Sequence, residues 1–360
     1  MKTMLSSGRH HHLVRLVIFL IVIAFIFGMA GCGGGNNLEI RDWYDLDAIR
    51  DNMSGSYILI NDLDSTTAGY TELASPTANE GKGWQPIGSI AVNDAFVGSF
   101  DGQGYEICDL FINRPDESDV GLFGVVEAGG VIESVGEVVN GNVTGYGAVG
   151  SLVGYNRGTV RNSCADGNVT GDLDVGSLVG VNDGTVSNSY SSGSVTGRDV
   201  VGDLVGKNEG TVSNSYSIGI VNGNDLVGSL VGVNDGTVSN SYASGTVNGN
   251  DFVGGLVGKN EGVVSNCYST GSVTGDEHIG GLVGQNLYGV VSNSFWDTQT
   301  SGQANSDGGT GKTTAEMMDI TTFTGVEWEI TTVDPGETNP AYTWNIVDDV
   351  TYPFLSWEPV

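Results

Sequence analysis

Carboxylates recur along this 360-residue chain at a fixed interval of 26 residues: Asp199, Asp225, Asp251 and Glu277 form one column, and Asp183, Glu209, Asp235 and Glu261 form another. If each repeat is one turn of a coil, these side chains stack about 5 Å apart. Oxygen ligands at that spacing could hold a hard cation such as Ca²⁺, and Asp199, Asp225, Asp251 and Glu277 are the candidate ligands. The plainer expectation is a solvated acidic face, because neighbouring charges at this distance in water repel by less than about 1 kcal/mol, and salt lowers that further. Polysaccharide-acting enzymes also cluster acids, but their sites break a repeat with dissimilar residues, whereas these columns stay uniform. No catalytic residue is assigned.

Other reactive groups carry less. His278 is the only histidine beyond residue 12, so a His-Glu-x-x-His zinc site cannot form. A Ser-His-Asp triad would have to use the same His278, whose column holds Asp174, Val200, Leu226 and Phe252 in other repeats. His278 therefore reads as surface decoration. Gly308-Gly309-Thr310-Gly311-Lys312-Thr313 imitates a phosphate-binding loop, yet Ser306 stands where that motif needs its first glycine. A turn followed by a helix cap is expected there, with no nucleotide. Cys164 and Cys267 would sit four rungs apart, about 19 Å, beyond disulfide reach; with Cys108 they read as small buried hydrophobes.

The elements that must position these groups are the repeats themselves. Leu-Val-Gly occurs at 152–154, 178–180, 204–206, 230–232, 256–258 and 282–284, and an asparagine follows two residues after each. A second asparagine column (Asn162, Asn188, Asn214, Asn240, Asn266) precedes a mostly Ser-Tyr pair. Asn-Asp-Gly and Asn-Glu-Gly supply turns, and no apolar stripe has helical spacing. Short alternating runs such as Thr185–Tyr190 put Val186, Asn188 and Tyr190 on one face. A fixed period of this kind marks a stacked-repeat architecture. The expected fold is all-β, a right-handed parallel β-helix with 26-residue rungs and short helical or irregular caps at both ends. Units alternate Val-Asn-Asp with Lys-Asn-Glu, which places a lysine among the stacked acids at every second rung. Tyr190, Tyr216, Tyr242 and Tyr268, continued by Phe295, form an aromatic ladder. Parity with the valines favours an inward ladder; an outward one would be a sugar-stacking strip.

Composition agrees: 58 glycines, 7 prolines and 39% hydrophobic residues suit many short strands joined by tight turns. The net charge is −30, and residues 32–360 carry 10 basic against 43 acidic residues. That surface excludes nucleic-acid binding through phosphates. At the N-terminus, Lys2, Arg9 and Arg15 precede or open an apolar run, Leu16–Phe27, and Gly28-Met29-Ala30-Gly31-Cys32 follows. This is the pattern of an export signal. His10, His11 and His12 fall before its cleavage point and are not expected to bind metal.

Ala30-Gly31-Cys32 resembles the lipobox of prokaryotic lipoproteins, which implies that Cys32 is the acylated first residue; Met29 departs from the usual leucine. Val253–Gly262 and Tyr268–Gly275 resemble the GLUG-motif repeat of bacterial and archaeal surface proteins. Trp43–Arg50, Tyr57–Asp64, Phe100–Gly104, Phe295–Gln299 and Pro353–Trp357 are similar to the flanking segments of such proteins. The resemblance implies short capping helices at 41–50 and 313–320 and a cell-surface location with adhesion-like or structural roles. The expected organisation is a signal peptide over 1–31, a tether over 32–37, an N-terminal cap with degenerate first rungs over 38–145, repeats over 146–295 and a C-terminal cap over 296–360. The expected function is a surface-anchored, non-enzymatic β-solenoid. Its partners would be the membrane through Cys32 and a cell-surface or matrix protein or glycan. A carbohydrate-binding module or a polysaccharide-acting enzyme is the alternative. Apart from the Ca²⁺ considered above, no cofactor is expected.

Overall fold

A computed structural model describes residues 37–91, 94–136, 138–326 and 328–358. The signal segment, most of the tether and Cys32 lie outside the described residues. No helix among those described is long and apolar enough to cross a membrane.

Each 26-residue unit folds into one turn of short strands. In one such turn these are Val179–Asn182, Thr185–Ser187, Tyr190–Ser191, Ser194–Thr196 and Asp199–Gly202. Every strand pairs in parallel with its copy one repeat on, as Val179 with Val205, Val186 with Val212, Tyr190 with Tyr216 and Asp199 with Asp225. Four parallel sheets result, of 7, 7, 10 and 14 strands. The fold is an all-β solenoid.

The sequence interval fixes this register because each inward residue stacks on its own kind. Leu178, Leu204 and Leu230, Val186, Val212 and Val238, and Val201, Val227 and Val253 are fully buried columns of one core. Asn156, Asn182, Asn208, Asn234 and Asn260 are buried beside them, and each side-chain amide donates to the next Oδ1 at 2.7–2.8 Å, ending on Asn286. Buried amides demand partners, and the repeat supplies one per rung. Glycine is needed at the turns: a Cβ on Gly210 would stand 2.1 Å from the Gly184 carbonyl oxygen.

The ends are closed differently. At the N-terminal end a helix, Trp43–Asp47, runs into a 3-10 turn, Ala48–Asp51, and buries Trp43 and Leu46. Asp42 caps it by accepting from the Asp45 amide at 2.9 Å, and Trp43 packs against Trp84 at 5.7 Å. At the other end, Ser306 Oγ accepts from the Val283 amide at 2.8 Å and Asp307 Oδ2 from the Asn286 amide at 2.7 Å. These bonds occupy edge groups that an uncapped rung would expose. The segment resembling a phosphate loop also serves this end. Thr310–Lys312 adds a strand beside Phe295–Asp297, and Thr313 then forms a capping box with Glu316 at the start of helix Thr314–Met317. Cys164 and Cys267 are buried and Cys108 is half-buried, and none of the three is joined in a disulfide among the described residues.

Candidate functional site

Parallel pairing stacks Asp225 on Asp199, Asp251 on Asp225 and Glu277 on Asp251 along the outer surface. The residue after each acid, in order Val200, Leu226, Phe252 and His278, has φ of 59°, 59°, 53° and 48°. This left-handed conformation costs a non-glycine residue about 1–2 kcal/mol. It turns two consecutive side chains outward before the chain re-enters the core at Val201, Val227 and Val253. Acid and neighbour therefore share one surface, which simple strand alternation would forbid.

The two ends of this ladder have different partners. Arg198 bridges Asp172 at 2.8 Å and Asp199 at 2.5 Å. At the other end no lysine or arginine is paired with Asp251 or Glu277 among the described residues; the partner of Asp251 is His278, with Nδ1 2.6 Å from Oδ1. The imidazole lies flat on Phe252, with centroids 4.7 Å apart and planes at 16°. The Phe252 amide donates to the same Asp251 oxygen at 2.9 Å. Potential ligand atoms of Asp251, Glu277 and His278 all fall within 4.8 Å of one another. Of the candidates read from the sequence, Asp251 and Glu277 come together here, whereas Asp199 belongs to Arg198 and Asp225 stays outside the cluster.

The second acidic column is matched by cations. Lys207 pairs with Glu209 and reaches Asp235 at 3.5 Å, Lys259 pairs with Glu261 at 2.5 Å, and Arg157 lies 3.8 Å from Asp183. The alternating lysines thus neutralise their own rung and, at Lys207, the next one.

The tyrosine ladder requires a correction. Val186 faces the core, but Asn188 has φ 48°, and this turn reverses the alternation. Ser189 points inward and Tyr190 outward. Tyr216, Tyr242 and Tyr268 stack on the outside with centroids 4.9–5.0 Å apart and planes within 9°. They are not a sugar platform either, because the C-terminal segment folds back over them. Met317, Phe323, Trp328, Trp344 and Leu355 form a second core against Tyr216, Tyr242, Tyr268 and Phe295. The left-handed asparagines help hold this cover: Trp357 Nε1 donates to the Asn214 carbonyl at 3.1 Å and Trp328 Nε1 to the Asn293 carbonyl at 2.8 Å.

Glu358 closes the cover by accepting from the Tyr242 hydroxyl at 2.8 Å and the Leu355 amide at 2.6 Å. Burial pushes its carboxyl up to about 7. A folded value above the unfolded one means that Glu358 contributes fully below about pH 4.5, and that this contribution is lost as pH rises through 7. Hydrogen-exchange protection of residues 344–358 should therefore fall between pH 5 and pH 8. In Glu358→Gln the fall should be much smaller; an unchanged fall would remove Glu358 as the cause.

A buried acid was missed by the sequence reading. Asp203 occupies a fully buried column that carries serine at Ser151, Ser177 and Ser229. One oxygen accepts from the Gly219 amide at 2.8 Å, and the Ser191 hydroxyl is its other neighbour. Loss of hydration dominates and pushes its carboxyl up to about 7. The available signal was Gly-Asp-Leu-Val-Gly at 202–206 against Gly-Ser-Leu-Val-Gly at 176–180 and 228–232.

Comparison with known proteins agrees with this architecture. Residues 223–248 and 253–274 match the family described as the GLUG motif. Halomucin of Haloquadratum walsbyi is 40% identical over 129 residues, which make up 34% of this chain and 1% of halomucin. A protein of Evansella cellulosilytica named as a Gly-rich membrane protein is 32% identical over 173 residues, 43% of this chain and 19% of that protein. The chain thus spans a minor part of either relative. Among solved structures, a Bacteroides ovatus protein named for immunoglobulin A1 protease superposes with a TM-score of 0.52 at 19% identity, covering 91% of this chain and 94% of that one. At that identity the likeness is one of fold. With the 26-residue register, the stacked strands and the matched motif in agreement, this chain is a β-solenoid that carries GLUG-motif repeats at residues 223–248 and 253–274.

Proposed function

We propose that this chain is exported, held at the cell envelope through lipidated Cys32 and displayed at the cell surface, where it acts as a non-enzymatic adhesion-like or spacer element. The observation that supports this most is the uniformity of its outer columns. Asp199, Asp225, Asp251 and Glu277 repeat rung after rung without the break in side-chain type that a catalytic cleft requires. The relatives named halomucin and a membrane protein add support for the location. Partners of such a face would be cationic patches on a cell-surface or matrix protein, drawn by charge and weakened by salt. The carbohydrate-binding alternative loses its main support, since the aromatic ladder that would stack on sugars is covered by the chain's own C-terminal segment.

The test is surface labelling of intact cells with a membrane-impermeant amine reagent, together with fractionation of wild type and Cys32→Ser. Wild type should be labelled and sediment with membranes, and the variant should appear in the soluble fraction. Labelling only after lysis would overturn display, and a variant that still sediments would overturn the lipid anchor.

A further inference from the structure

We propose that Asp251, Glu277 and His278 form a binding site for a divalent transition metal ion of the Zn²⁺ or Co²⁺ kind.

The argument rests on the imidazole and its fixation, not on the acids alone. Carboxylates on the surface of so acidic a chain attract diffuse counter-ions without selecting any. A nitrogen ligand beside two carboxylates changes the preference: imidazole suits zinc, cobalt and nickel, whereas calcium and magnesium take oxygen ligands. The ring is also held before any ion arrives. It is stacked on Phe252 at 4.7 Å and 16°. Asp251, which meets Nδ1 at 2.6 Å, is itself fixed by the Phe252 amide at 2.9 Å. That bond holds the ring beside the carboxylates before any ion is bound, and an ion ligated by all three side chains would take the place of the proton between Nδ1 and Asp251.

Backbone geometry makes the ligand set possible. Glu277 and His278 are consecutive and would point to opposite faces of an ordinary strand; φ of 48° at His278 puts both outside. Rung stacking then supplies Asp251 directly beneath Glu277. The charge pattern along the ladder points the same way. Where Arg198 stands, the acids already have a fixed cation. Where His278 stands, no lysine or arginine among the described residues pairs with Asp251 or Glu277, and a divalent ion would balance the two carboxylates. Three protein ligands would leave room for water or a partner's side chain to complete the coordination.

The probe is Co²⁺, read by its visible absorption, and Zn²⁺, read by calorimetry, on the full chain in about 150 mM salt to suppress diffuse binding. His10, His11 and His12 are replaced by alanine in every sample, so that His278 is the one remaining histidine. The expected result is saturable binding of one ion, weakened at least tenfold in His278→Ala and in Glu277→Gln. These side chains are exposed, so both variants should keep the parent's melting temperature in the absence of metal. No saturable binding, or binding equally strong in His278→Ala, would overturn the site. Displacement by an equimolar amount of Ca²⁺ would overturn its assignment to transition metals.

Discussion

Asp203→Ser should stabilise the solenoid by about 2–4 kcal/mol at pH 8 and remove about half of the stability loss between pH 5 and pH 8, Glu358 accounting for much of the rest. Asp203 is wholly buried, with the Gly219 amide and the Ser191 hydroxyl as its neighbours; among the described residues no cation pairs with it, and the charge of Asp166 pushes its carboxyl further in the direction that burial does. Its folded value of about 7 lies about three units above the ordinary aspartate value. Each unit is worth about 1.36 kcal/mol of difference between the two protonation states, which puts the burden of ionised Asp203 at about 4 kcal/mol. The sign follows from proton uptake. Between about pH 4 and pH 7 the folded chain holds a proton at Asp203 that the unfolded chain has released, so stability falls as pH rises and the loss is complete above 7. Serine carries no such charge and already fits the neighbouring rungs, but it surrenders the bond to Gly219, which offsets about 1 kcal/mol. Asp203→Asn separates the causes, since it keeps the shape and removes the titration. Urea denaturation at pH 5 and pH 8 is the measurement. An equal pH slope in wild type and Asp203→Ser would assign the slope to other groups, Glu358 first among them.

The largest expected loss comes from Asn208→Ala, at about 3–5 kcal/mol, with partial melting of the central rungs. Asn208 Nδ2 donates to Asn234 Oδ1 at 2.8 Å and to the Thr237 carbonyl at 3.2 Å, and its Oδ1 accepts from Asn182 at 2.8 Å. Truncation leaves a cavity, a buried oxygen on Asn234 without its donor, and an amide on Asn182 with poorer partners. Each orphaned buried group costs about 1–3 kcal/mol, and the cavity adds to that. Because the strands of each repeat rung pair only with those of the rungs beside it, the damage should be deepest in adjacent repeats. Asn168→Ala is the matched control. Asn168 also faces its counterpart one repeat away, Asn142, but on the exposed surface at 3.5 Å. Water can replace that contact, so the cost should stay below about 1 kcal/mol. Similar costs for the two variants would mean that the internal amide ladder is not what holds the register.

How much was legible in the sequence depended on whether a feature is periodic. The acidic columns, the alternating lysines and the amide columns were all visible as spacing, because a parallel coil converts a 26-residue interval into direct contact. The candidate metal cluster was only half legible. Asp251 and Glu277 were read as column members, but His278 looked like an accident at a variable position. Its partnership depends on a left-handed residue that brings consecutive side chains onto one surface, and on Phe252 lying beneath the ring. A single sequence does not announce a positive φ at valine, leucine, phenylalanine or histidine, since those residues disfavour it.

By itself, then, the sequence determined the coil, its register and the acidity of its surface, for the physical reason that identical side chains at a constant interval satisfy one another only when stacked. Tertiary structure decided direction and burial. Asn188 and its equivalents turn the chain by a positive φ, and so move the tyrosines from the core to the outer wall. Residues 314–358 then return over that wall and make it a second core, a contact between segments more than a hundred residues apart, as in Trp357 bonded to Asn214. Asp203 differs from its column mates by one side chain, and only enclosure within the coil, away from water, turns that difference into a titrating group near neutrality.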